Sequence, residues 1–198
     1  MPNANRPSGL APVNNLLTGS YNGQARIYSI AYNYNTALYI GDPVKSSGTA
    51  DANGVAGIVL AAAGTGQPIR GVIVGIGRSE GLLANPANLD RTYYPAGGDG
   101  VNTPWYALVV DDPNVIFEVQ ENAGTLTAAD IGANVQLVSG AGNGFLSGWV
   151  IGGTSSTNAG DQIRLLGLVR RADNSFGPYA KHLVMINNHE LRPGTAGV

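Results

Sequence analysis

Between Arg26 and Tyr34, Tyr28, Ile30, Tyr32 and Tyr34 alternate with the smaller Ser29, Ala31 and Asn33. A period of two predicts a half-buried strand, because successive side chains on a pleated backbone point to opposite faces. Short apolar runs predict further strands over 37–40, 55–60, 69–76, 105–110, 115–120, 134–138, 146–151, 163–170 and 182–187, most of them bounded by Gly, Pro, Asn or Asp. The 29 Gly and 11 Pro follow no fixed period, so they punctuate many short elements rather than build a collagen-like chain. No long stretch carries the spacing of an amphipathic helix. Thr127-Ala-Ala-Asp130 predicts one helical turn, with Thr127 as its cap, Asp130 three residues on and Gly132 as its stop. The expected class is all-β with little helix, a barrel or a sandwich, with a jelly-roll arrangement among the alternatives.

The clearest local unit runs from Trp105 to Gln120, where two β-rich runs flank Asp111-Asp-Pro-Asn114. Pro113 fixes φ at that corner, and the unit predicts a hairpin. The expected organisation is an extended amino-terminal arm over 1–24, one β domain over 25–191 and a short carboxy-terminal tail over 192–198. The arm is rich in Asn, Pro, Ser and Gly and carries Leu10, Val13, Leu16 and Leu17 as isolated apolar points. It reads either as a disordered tail or as an arm that orders against a neighbouring subunit. On the second reading those four residues are candidate subunit contacts, and removal of residues 1–20 should leave the β fold intact. The irregular stretch 82–104 contains Tyr93-Tyr94, a candidate exposed contact or a lid over the core.

Composition narrows the partners. Only 12% of residues are charged, about half the usual share, so neutral groups must cover much of the surface. Such a surface suits broad interfaces and favours an assembly. A net charge of -2 gives no basic patch for a phosphate backbone, so nucleic acid is not an expected partner. Zero Cys excludes disulfides, thiol catalysis and thiolate metal sites. Neither a secretion signal nor an uninterrupted apolar run of about 18 residues occurs, so no membrane partner is expected.

The residues capable of chemistry lack partners in sequence. His182 and His189 have no metal-ligand spacing and read as surface or hydrogen-bonded structural residues. Asp111 and Asp112 are adjacent, so on a strand they point apart and read as turn caps. Asp51-Ala-Asn-Gly54 and Asp99-Gly-Val-Asn102 lack the later Glu of a calcium loop and read as tight turns. The glycines of Gly71-Val-Ile-Val-Gly75-Ile-Gly77 lie inside an apolar run, where they mark a bulge or close packing rather than a phosphate loop. Gly41-Asp-Pro-Val-Lys45-Ser lacks the Walker glycine before its lysine. Gly77-Arg-Ser79-Glu-Gly81 fits the Gly-x-Ser-x-Gly pattern, but the run beyond it meets Pro86 without the helix that a nucleophile elbow requires. No catalytic residue, metal ligand or cofactor is expected.

The segment from Tyr106 to Gln120 resembles one found in structural cement proteins of tailed bacteriophages. Thr127–Asn134, Gly140–Asn143, Leu165–Asn174 and Lys181–His189 follow in the order of that family. The resemblance spans residues 105–191. It implies a β-rich capsid decoration protein on the outer surface of the virion, made in the host cytoplasm. Its implied partner is the phage major capsid protein at capsomer junctions, bound by a homotrimer or, as the alternative, a homodimer. It implies no catalytic residues. The other readings are a glycan-binding module using Tyr93, Tyr94 and Trp105, and a small hydrolase using Ser79.

Overall fold

Two apolar cores are built by strands paired across long sequence distances. The computed structural model describes residues 3–78, 91–98 and 105–198. Strands β3 (Arg26–Ile30), β5 (Pro43–Ala50), β6 (Ala56–Leu60), β7 (Gly71–Arg78) and β9 (Trp105–Val110) close a barrel in the order β3-β6-β5-β7-β9. Its closing contact is a parallel bridge between Ser29 and Gly57. A six-stranded sheet lies beside it. This sheet contains β1 (Ala11–Asn15), β2 (Gly19–Ser20), β10 (Val115–Gln120), β11 (Asn134–Val135), β14 (Ile163–Leu168) and β15 (Lys181–Ile186), ordered β11-β14-β15-β10-β1-β2. Two short pairs complete the strands among the described residues: β4 (Leu38–Tyr39) with β8 (Tyr93–Tyr94), and β12 (Leu137–Val138) with β13 (Val150–Ile151). The all-β expectation holds, with one 3-10 turn among the described residues, at Ala128–Asp130, capped by Thr127 as the sequence predicts.

Strand β7 shows how one apolar run serves both cores. Ile73 and Ile76 face the barrel interior with Tyr28, Ile30, Trp105, Ala107 and Val109, whereas Val72 joins Phe117, Leu165 and Val184 under the sheet. An unbroken alternation would send Ile73 and Ile76 to opposite faces. The register shift between Ile73 and Gly75 restores the phase, which is what a bulge does. Gly71 is a close-packing glycine, since a Cβ there would lie 2.3 Å from the Val110 carbonyl oxygen. The bulge and the close packing expected of this glycine run are thus both present.

The hairpin expected over 105–120 does not form. Strand β9 pairs with β3 and β7 in the barrel, whereas β10 pairs with β1 and β15 in the sheet. Asp111–Asn114 is therefore a corner that carries the chain from one sheet to the other. Alternation marks both strands correctly but is silent on their partners, and Asp111 is buried at the corner between them.

The amino-terminal stretch orders on this chain's own sheet. β1 pairs with β10 from Ala11–Glu118 to Asn15–Val115, and Leu10 is 1% exposed, so it belongs to the core. Gly9 and Gly41 cross closely, with the Leu10 N–H donating to the Gly41 carbonyl at 3.0 Å. The carboxy-terminal residues are tied to the far edge, where Arg164 donates to the carbonyls of Thr195 and Ala196.

Candidate contact surface at the corner between barrel and sheet

The Asp111–Asn114 corner is held from three sides. Tyr28 donates from β3 to Asp111 Oδ2 at 2.7 Å, and Arg70, just before β7, donates through Nε to the Tyr28 hydroxyl at 2.8 Å. Arg70 also lies 3.5 Å from Asp111 and 3.9 Å from Glu190, while Arg26 approaches Asp111 at 3.6 Å. Glu190 in turn accepts from the Ser46 N–H at 2.7 Å. A buried carboxylate at a sheet-to-sheet junction thus has cations and a phenol around it, as a charge taken out of water requires. Burial pushes the Tyr28 phenol up, and the neighbouring Asp111 carboxylate adds to that.

Asp112 faces outward and caps the turn. Burial raises its carboxyl, but hydrogen bonds from the Asn114 N–H and from the Asn15 and Asn114 amides together outweigh burial and hold it low. The Asn15 bond, 2.7 Å long, fastens the tip of the β1–β2 hairpin to the corner, and the Leu16 N–H donates to the Asn114 carbonyl. These bonds present Leu16 and Leu17 to solvent at 52% and 77% exposure, on a fixed backbone rather than a floppy one. Exposed Leu191 borders the same corner across a cavity of about 460 Å³, lined also by Gln24, Arg26, Asp111, Asp112 and Pro113.

His189 sits behind this corner. Its Nδ1 accepts from the Leu191 N–H at 3.0 Å, and burial, with Arg70 and Arg192 nearby, lowers its pKa to about 4. His182 is fully buried and shares a 3.0 Å contact with Glu121, itself held by the Leu126 N–H. Both histidines are buried and hydrogen-bonded, so neither is a surface residue. No group of three His, Cys, Asp or Glu able to hold a metal occurs among the described residues. Ser79 and the residues 99–102, read from sequence as a tight turn, lie outside the described residues. Asp51 forms the expected tight turn, accepting from the Asn53 and Val55 N–H groups, and it also accepts from the Tyr106 hydroxyl.

The candidate contacts named from sequence therefore separate. Val13, Leu16 and Leu17 are exposed on the hairpin, and Leu10 is core. Tyr93 is 36% exposed and stacks on Tyr39, with ring centroids 5.3 Å apart. Tyr94 is fully buried, its hydroxyl directed at the carbonyls of Ala31, Tyr32 and Tyr34, and it meets Trp105 edge-on. Neither Tyr94 nor Trp105 can stack on a sugar. Sequence reasoning missed Arg26, Arg70, Glu190 and Leu191. The available signal was scarcity, because in a chain this poor in charge an Arg at the mouth of an apolar strand asks for a buried partner.

Comparison of the chain with protein-family models, with curated proteins and with solved structures returns no match.

Proposed function

We propose that this chain is a structural virion protein of a tailed bacteriophage, a cement subunit that binds the outer surface of the assembled head at capsomer junctions. It acts as a homotrimer, with a homodimer as the second arrangement, and its partner is the major capsid protein. The observation that carries this reading is the β1–β2 hairpin, which holds Val13, Leu16 and Leu17 in solvent on a backbone fixed to the corner. Exposed leucines on a rigid mount suit a contact made without ordering cost. The ordered motifs after Trp105 that resemble cement proteins support the same reading. A second apolar group lies on other elements, exposed Tyr93 stacked on half-buried Tyr39, and several modest contacts on one rigid body add to tight attachment.

The test is occupancy of heads. Leu16→Ser with Leu17→Ser should leave thermal unfolding within a degree or two of wild type, because neither side chain is buried. Co-sedimentation with purified expanded heads should fall about tenfold or more, in line with the loss of two interface leucines. Equal occupancy by the double variant would remove the hairpin from the contact. Absence of wild-type binding to heads would remove the capsid reading itself.

A further inference from the structure

At the opposite end of β10 from the corner lies a second groove, of about 270 Å³, between the amino-terminal residues and the connection from β14 to β15. We propose that it binds the carboxylate of an acidic polypeptide segment from a partner chain. This inference stands apart from the identity of that partner and from the leucine hairpin.

The first argument is charge. Arg6, Arg171 and Lys181 line the groove with Asp173. Glu118 pairs with Arg171 at 2.8 Å and Lys181 at 3.2 Å, and Asp173 touches Arg171 at 4.0 Å. Three cations thus meet two carboxylates, and Arg6 has no ion-pair partner among the described residues. One positive charge is left over in a protein whose net charge is -2. An arginine fork matches a carboxylate in two parallel hydrogen bonds, and a single surplus charge is too little for a polyphosphate backbone.

The second argument is backbone strain. Gly177–Ala180 is a tight turn closed by the Ala180 N–H on the Gly177 carbonyl, with Pro178 and then Tyr179 at its centre. Tyr179 has φ 63°, the only positive φ at a non-glycine position among the described residues. That position ordinarily takes Gly or Asn. The tyrosine is held there by its N–H on the Asn122 carbonyl, and the residue lines the groove beside the cations. A bulky residue kept in a disfavoured conformation at a concave cationic site is the pattern of a ligand clamp. Its phenol offers an extra donor to an incoming carboxylate.

The groove is also pre-formed. Asn3 donates to the carbonyls of Ser175 and Pro178 and accepts from the Ser175 N–H, while the Arg6 N–H donates to Gln120. Arg6 is therefore carried on a backbone already fastened to both walls, so little ordering remains for binding to oppose.

The experiment is calorimetric titration of the full chain with a capped tetraglutamate peptide at low salt, with inorganic phosphate and a tetralysine peptide alongside. Tetraglutamate should bind and tetralysine should not, and Arg6→Gln with Arg171→Gln should weaken tetraglutamate about tenfold or more. Lys45→Gln, on the barrel, should leave affinity unchanged. Tyr179→Asn takes the same backbone region easily, so it should keep or raise the Tm while weakening the peptide several-fold. A purely structural Tyr179 would instead lower the Tm and spare binding. The proposal is overturned by no tetraglutamate binding, by equal affinity in the double variant, or by phosphate binding as tightly as the peptide, which would mean an adventitious ion only.

Discussion

Two buried ionisable residues pull the fold in opposite directions with pH. Asp42 accepts from the Tyr39 N–H and from Ser147, but burial outweighs both and raises its pKa to about 6. The folded state therefore holds a proton that the unfolded chain has lost above pH 3.8, and this contribution fades as pH climbs through about 6. His189, lowered to about 4, does the reverse. Its unfolded form is protonated below 6.5 while the folded form is not, so stability falls as pH drops from 6.5 toward 4. Each shift is worth about 3 kcal/mol at most, and the two nearly cancel between pH 4 and 6.5. Asp42→Asn should unmask the histidine, giving stability that rises with pH across this window relative to wild type. His189→Asn should give the opposite slope. Urea midpoints at pH 4.5 and pH 7 check both, and parallel profiles for the two variants would refute the pairing. At the same scale Gly9→Ala should cost about 2–4 kcal/mol, because its φ is +67° and a Cβ would fall 2.3 Å from the Gly41 carbonyl oxygen.

At the level of elements, legibility followed burial. Strands with their own apolar run, such as β7, β9, β10 and β15, are found from sequence within a residue or two. β5 is not, since Lys45-Ser-Ser-Gly-Thr-Ala50 is largely exposed and is a strand only because β6 pairs with it. β1 escapes for the same reason, its polar Asn14 and Asn15 being held by β10 and β2. The stretch read as one strand over 134–138 splits at Gln136, where the chain leaves β14 for the pair with β13. The contact surface was legible only in its exposed leucines, because the partners of Arg26 and Arg70 are 85 and 41 positions away in Asp111. β1 also changes what a truncation tests. Removing residues 1–20 deletes a core leucine and strips the edge of β10, a loss of the order of 5 kcal/mol that approaches the whole stability of a domain. Circular dichroism of the truncated chain should show an unfolded or aggregating protein, and a native spectrum would mean that the sheet does not need β1.

Across the whole molecule, the two cores share strands rather than merely touching. β7 and β9 each place residues in both, Leu60 packs against both, and the Asp111 corner welds the barrel to the sheet through Arg70 and Tyr28. Neither core can open without unpairing residues that the other needs, so barrel and sheet should unfold in one transition with equal calorimetric and van't Hoff enthalpies. The weld sets that coupling. In Asp111→Ala, Arg70 keeps Glu190 at 3.9 Å and the Tyr28 hydroxyl but loses its nearer carboxylate, and Tyr28 loses its acceptor, a loss of about 1–3 kcal/mol. Because the loss falls at the junction, the variant should unfold at lower temperature with a van't Hoff enthalpy below the calorimetric one, the barrel and the sheet now melting apart. A single transition merely shifted to lower temperature would show instead that the shared strands β7 and β9 suffice to couple the cores, and that the buried carboxylate only adds stability to a corner the backbone already fixes.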